Sequence, residues 1–302
     1  MITSKSPRMV AMVALAVGKD AFRDYSHKFS PKKYTRPQLF ACLVLKEFEK
    51  KDYRGVSALL TDCSDLRTAI ELDNVPHFTT LQKASGRLLK LDRVRTLIEE
   101  TVHRILGHST TVGYAAVDSS GFEAHHASRY FIWRTDAKKK GKEPKKRRTY
   151  KRYGKLMLII RCASHAILAA VPSVGPTPDV DQLDSVVAEL PPWVAIRHMV
   201  GDAGFDSAHN HRLLREYHGM LSTIPAGHGR PPKDAKALPA DKYRRLMKTR
   251  FNKKAYRQRP QVETVFSMLK RNLGPALRGR SHWSRGRDMM LRVLTHNISL
   301  IQ

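Results

Sequence analysis

Apolar residues recur at helical spacing through the first hundred positions and then change to short unbroken runs, so the chain reads as a helical part followed by a mixed one. Met9 to Val17 is apolar behind Lys5 and Arg8, but charge resumes at Lys19 and Asp20, which makes it a helix rather than a signal peptide. Thr35-Arg-Pro-Gln38 has the form of a capping box with a proline in the first turn, and it leads into Leu39, Leu43, Leu45 and Phe48. A further periodic run spans Gly55 to Leu72, another starts within Pro76 to Leu81, and the next covers Asp92 to Leu106. Short helices with tight turns fit a DNA-binding bundle with a helix-turn-helix, and equally a structural cap on whatever follows.

From Gly107 the pattern becomes that of a sheet. Val112 to Val117 predicts a buried strand ending at Asp118-Ser-Ser-Gly121, a turn that places the carboxylate at the sheet edge. Leu156 to Ile160 and Ala166 to Val171 predict a hairpin through Arg161 to His165. Pro176 and Pro178 break the chain, and Asp179-Val-Asp-Gln-Leu-Asp184 predicts a helix start with acids in its first turn. Those aspartates lack the glycine and final glutamate of a calcium loop. Ile196 to Val200 repeats the earlier motif, an apolar strand ending in Gly201-Asp-Ala-Gly-Phe205, with a helix from near Ser207 and a strand at Leu221 to Ile224. A helix follows within Tyr256 to Lys270, where Val262, Val265, Phe266, Leu269 and Leu273 form the buried arc, and a last one runs from Asp288 to Ile301. Pro260 fits only the first turn, so that helix starts at Arg259 or Pro260 and leaves Tyr256 on the preceding loop.

Composition turns this outline towards a partner. The chain has 302 residues, 41% of them hydrophobic, enough for a substantial core. Its 55 Lys and Arg against 27 Asp and Glu give a net charge of +28, which calls for a polyanion, and nucleic acid is the commonest one. The charge is densest in a low-complexity run from 138 to 155, where Lys146, Arg147, Arg148, Lys151 and Arg152 are interleaved with Tyr150 and Tyr153 and follow Trp133, a mixture suited to phosphates and bases. No stretch approaches the ~18 apolar residues of a membrane span. Cys42, Cys63 and Cys162 form no CxxC pair, so they read as free thiols in a reducing, intracellular setting.

One chemical constellation emerges. A lone Asp in a turn is usually a turn former, and Glu263 by itself is the charged edge of an amphipathic helix. Asp118, Asp202 and Glu263 together, on two strand ends and one helix face, are a set of hard oxygen ligands. Converging carboxylates repel unless a cation sits among them. Mg²⁺ or Mn²⁺, as two ions, suits such a set and can run in-line phosphodiester chemistry. Glu263 and Lys270, seven apart, fall within about 20° of each other on a helix, so an acid and a cation share one stripe.

The spacing Tyr256-(2)-Arg259-(3)-Glu263-(6)-Lys270 resembles the Tyr-(2)-Arg-(3)-Glu-(6)-Lys signature of bacterial and archaeal insertion-sequence transposases of the DDE class. Asp118-Ser-Ser-Gly-Phe122 and Asp202-Ala-Gly-Phe205 resemble that group's first and second aspartate motifs, and the likeness covers roughly residues 112–302. It implies an α/β fold, an RNase H-like mixed five-stranded sheet with flanking helices, preceded by an all-α N-terminal domain. The division would be a helical DNA-binding domain at 1–108 and a catalytic domain at 109–302 carrying a basic insertion at about 134–155. It further implies cleavage at terminal inverted repeats and joining of 3′ ends to target DNA, with Asp118, Asp202 and Glu263 catalytic and metal-holding. Arg259 and Lys270 would contact transposon-end DNA, with Tyr256 beside the scissile region. The partner would be double-stranded DNA, bound by at least a homodimer, and the setting the prokaryotic cytoplasm and its nucleoid. Two other readings of the same residues stay open: a DNA-binding protein without catalysis, and a structure-specific nuclease on the same fold.

Overall fold

Six helices open the chain: α1 (Pro7–Ala21), α2 (Arg36–Phe48), α3 (Tyr53–Asp62), α4 (Ser64–Ala69), α5 (Phe78–Leu88) and α6 (Leu91–Leu106). The computed structural model describes residues 3–124, 153–227 and 238–301. The predicted capping box forms at α2, where Thr35 accepts from the Gln38 N–H and Gln38 returns a bond from its side chain to the Thr35 N–H. Packing, more than propensity, holds these helices, since α2 is buried almost from Leu39 to Glu47.

A mixed sheet follows, built from β1 (Thr111–Ala124), β2 (Tyr153–Arg161), β3 (Ile167–Gly175), β4 (Ala195–Val200), β5 (Leu221–Thr223) and β6 (Ala276–Leu277). The order is β3-β2-β1-β4-β5, with β6 beside the far end of β1. β1 runs antiparallel to β2 and parallel to β4, and β4 parallel to β5. This is the RNase H-like arrangement, with a sixth strand beyond the expected five. The extra strand has two residues, pairing Glu123 with Ala276 and Ala124 with Leu277, too short to leave a periodic trace. The hairpin from β2 to β3 turns at His165, which takes the left-handed backbone region at φ 60°.

The helices after β3 are α7 (Leu183–Val187), α8 (Ala208–Arg212), α9 (Lys242–Thr249), α10 (Lys253–Tyr256), α11 (Pro260–Leu273) and α12 (His282–Leu300). The predicted helix start within Asp179 to Asp184 is a 3₁₀ turn running into α7, with Asp181 and Asp184 in the first turns, and the Asp179 carboxylate pairs with Lys155 at 2.7 Å. The last helix starts six residues early, because Ser281 and Ser284 close a capping box at its first turn.

α12 is the spine that joins the helical layer to the sheet. It is buried from Met289 to Leu300 and packs on α1, α2, α6, β2 and β3. Asn297 accepts the Ile167 N–H at 2.9 Å and donates to the Ile167 carbonyl at 2.8 Å and to Thr101 Oγ1 at 3.0 Å, so one buried amide links β3 to α6. Arg292, with 4% of its side chain exposed, donates from Nε to Glu47 on α2 and from its two Nη atoms to the carbonyls of Gly274 and Ala276. Burial alone would raise the Glu47 pKa, but Lys46 and Arg292 outweigh it and hold the carboxyl below its ordinary value. The buried faces of the six N-terminal helices and the sheet join one hydrophobic core. Burial pushes the Cys42 and Cys162 thiols up to about 12, which makes both inert packing residues. Among the described residues no helix is long and apolar enough to cross a membrane.

Candidate active site

Strand register brings the two aspartates together. β1 and β4 are parallel neighbours whose last paired residues are Ala116 and Val200, and two steps further along each chain stand Asp118 and Asp202. β1 does not end there, contrary to the sequence pattern. It runs on to Ala124 because β2 keeps pairing with it as far as Phe122 opposite Gly154. Asp118 therefore lies within a strand, at the point where the partner on its other side has stopped. Gly121 is no turn residue either: a Cβ there would come 2.9 Å from the Tyr153 ring. Asp202 does sit at a turn, where its Oδ1 accepts the Gly204 N–H at 2.8 Å.

Glu263 comes from α11, which lies across β1 and β2 and buries Val262, Val265, Phe266, Leu269 and Leu273. As Pro260 predicts, this helix begins at Pro260. Tyr256 is not on a loop, because Asn252 accepts the Ala255 N–H and caps the short α10 that Tyr256 ends. Its ring packs edge-on against Phe251, with centroids 5.1 Å apart.

The three acids converge on one guanidinium. Arg259 Nη2 lies 3.2 Å from Asp118 Oδ2 and 3.7 Å from Asp202 Oδ2, and Nη1 is paired with Glu263 Oε1. Arg259 Nε is buried and has no hydrogen-bond partner among the described residues. Its positive charge is therefore spread over three negative ones, and the three carboxylates hold its pKa above the ordinary value against the opposing effect of burial. Asp118 is the most buried of the acids. Desolvation pushes its carboxyl up to about 6, the Ser119 N–H and Arg259 oppose the shift, and the charges of Asp202 and Asp179 add to it. Arg259, the residue expected to face DNA, thus turns inward and pairs with all three acids.

Lys270 forms the other wall of the site. It donates to Ser120 Oγ at 2.7 Å and lies over the Phe122 ring at 5.4 Å. Asp118, Ser119, Ser120, Glu263, Lys270 and Arg271 line a cavity of about 370 Å³. Sequence reasoning missed Ser120 and Phe122, yet the period of two along β1 puts both on the face of Asp118. It also missed the Asp179–Lys155 pair, which no local pattern announces. Lys146, Arg147, Arg148, Lys151 and Arg152 lie outside the described residues.

The donor set fits a hard divalent cation, because it consists of carboxylate oxygens within 4 Å of a single positive group. Among the described residues no three such side chains are placed to hold a metal ion as they stand, and the Arg259 guanidinium pairs with each of these acids. The model of the transposase DDE domain family matches residues 114–298, which include all three acids. The chain belongs to that family. Among solved structures, this DDE-domain protein is similar to a piggyBac transposase seen by cryo-EM as a synaptic complex with hairpin DNA, at 14% identity and a TM-score of 0.45, covering 97% of this chain and 72% of that one. No curated protein matches the sequence.

Proposed function

We propose that this DDE-family protein is a DNA transposase that cuts at the terminal inverted repeats of its own insertion sequence and joins the freed 3′ ends to target DNA. The observation that carries the reading is the convergence of Asp118, Asp202 and Glu263 on one cation position at the end of the parallel strands. Two Mg²⁺ or Mn²⁺ ions held by these acids would supply activation of the attacking oxygen and neutralisation of the leaving one. In the first step water bonds to phosphorus, the bond to the 3′ oxygen breaks, and that oxygen takes a proton. In the second, the freed 3′-hydroxyl attacks a target phosphodiester and displaces the target's 3′ oxygen, so the number of phosphodiester bonds is unchanged.

The chain's own residues have distinct tasks in this reading. Asp118 and Asp202 are fixed by backbone N–H bonds from Ser119 and Gly204, so their oxygens are oriented before anything binds. Arg259 offsets part of the acids' charge in the free protein and, once displaced, pairs with a DNA phosphate. Lys270, steadied by Ser120, faces the same cavity and holds a second phosphate. Tyr256 lies beside the bound end. The helices of 1–108 and the cations of the 138–155 run add duplex contacts, and two copies of the chain act on the two ends. The test is incubation of the protein and Mg²⁺ with duplexes carrying the repeats that flank its coding sequence. The expected result is 3′-end cleavage followed by joining; unaltered cutting by Glu263→Gln, or cutting without strand joining, would refute it.

A further inference from the structure

The turn that carries Asp202 leads straight into a buried polar network outside the acid site. It is a single 3₁₀ turn, Ala203–Phe205, with Asp202 at its N-cap and Asp206 at its C-cap. The Phe205 N–H donates to the Asp202 carbonyl and the Asp206 N–H to the Ala203 carbonyl, each at 3.2 Å. So short a turn does not hold its own direction and takes it from what it is fastened to. The fastening is Asp206, whose side chain is fully enclosed. Arg244 on α9 grips both of its oxygens, with Nε 3.0 Å from Oδ1 and Nη2 2.8 Å from Oδ2. The Gly227 N–H donates to Oδ2 at 3.2 Å. Burial alone would raise the Asp206 carboxyl, but His211 and Arg244 outweigh it and hold the group down to about 2.

The network also reaches the sheet. Arg215 donates from Nε to Ser222 Oγ and from Nη2 to the Ser222 carbonyl on β5, both at 2.8 Å. A guanidinium can only donate, so the Ser222 hydroxyl keeps its own proton for His211 Nδ1, 2.8 Å away. In the neutral ring the proton then sits on Nε2. That nitrogen is buried, has no hydrogen-bond partner among the described residues, and lies 3.4 Å from Asp206 Oδ1. Ser222 stands opposite Met199 on β4, the strand that runs into the Asp202 turn. Asp206 is thus held from α9, from the segment after β5, and through His211 from the strand beside β4.

We propose that Asp206 is a positioning residue for Asp202: gripped by Arg244 and backed by His211, it sets where the Asp202 oxygens stand beside Asp118. Asp202 takes its hydrogen bond from Gly204 within the same turn, so its carboxylate goes where the turn goes. Asp206 itself meets no metal, because its oxygens are enclosed and already bonded to Arg244 and Gly227. The proposal rests on the reading of Asp202 as a metal-holding acid and adds the group that aims it.

The test is titration of the full chain with Mn²⁺, without DNA, in the wild type, Asp206→Asn, Arg244→Gln and Arg244→Lys. Position and charge predict different results. By charge alone, losing the acid weakens Mn²⁺ binding and losing the cation strengthens it; loss of position weakens both. Asp206→Asn and Arg244→Gln should each lower Mn²⁺ affinity about tenfold to a hundredfold, as when a metal ligand loses its support. Arg244→Lys should recover only part of this, since an ammonium keeps the charge without the two-pronged grip. Circular dichroism establishes which variants are folded, and Arg244, with 28% of its side chain exposed, keeps the test decisive if Asp206→Asn does not fold. Wild-type or tighter Mn²⁺ binding in folded Arg244→Gln overturns the proposal and leaves the metal site standing. A wild type that binds no Mn²⁺ overturns the metal reading of Asp202, and the proposal with it.

Discussion

Arg292 and Arg259 both pair with carboxylates, and they differ in how completely they are satisfied. Arg292 is enclosed between α12 and α2, with one acid, Glu47, and two backbone carbonyls for its donors. Arg259 faces three acids, has no partner for its Nε among the described residues, and has 20% of its side chain exposed. The first is a closed structural node. The second carries more negative than positive charge and is open to solvent, as the proposed function requires of a cation site. Equal chemistry thus serves stability in one place and readiness in the other.

The sharpest way to break this contrast is to remove its acids. Glu263→Gln should lower strand cleavage by about 10³-fold or more, since a metal-held oxygen contributes several kcal/mol in the transition state, while leaving the melting temperature nearly unchanged. Arg292→Met should do the reverse. With Glu47 left partly uncompensated and two carbonyls orphaned, unfolding free energy should fall by about 3–5 kcal/mol, read from urea or thermal transitions; a loss below about 1 kcal/mol would make the two arginines alike.

His296 sharpens the same comparison through pH. It is buried on α12, donates from Nε2 to the His165 carbonyl, and burial lowers its pKa to about 4. The unfolded chain therefore binds a proton near pH 6.5 that the folded chain refuses until about 4. Stability is complete above that window and is lost as the pH falls through it, by roughly 3 kcal/mol. Urea midpoints at pH 7 and pH 4.5 should differ accordingly, and His296→Gln should flatten the difference.

Arg259→Gln should give a smaller effect of opposite kind: Mn²⁺ affinity in the absence of DNA should rise about tenfold, roughly 1.4 kcal/mol, because the competing cation is gone. Weaker affinity in that variant would show that the arginine helps to build the site rather than to fill it. Ser120→Ala is the mildest change. It frees Lys270 from one hydrogen bond worth about 1 kcal/mol, so cleavage should slow by a factor of about five, and a wild-type rate would remove Ser120 from the account.

Much of the site was legible in the sequence because strands alternate and helices repeat. Two apolar runs each followed by an aspartate needed only parallel adjacency to bring Asp118 and Asp202 together, and the register supplies it. What was not legible depends on partners far along the chain. β1 continues past Asp118 only because β2 keeps pairing with it, and the two-residue β6 exists only beside β1. The inward turn of Arg259 follows from three acids on three separate elements. Glu47 and Arg292 meet across 245 residues of sequence, and no local pattern predicts that contact.

The proposed function requires that Asp118, Asp202 and Glu263 form one divalent-cation site. Calorimetric titration of the metal-free protein with Mn²⁺ tests it most directly, in the wild type and in Asp118→Asn, Asp202→Asn and Glu263→Gln. The account predicts saturable binding in the wild type that each substitution weakens by about tenfold or more. Equal binding in all four proteins would contradict it.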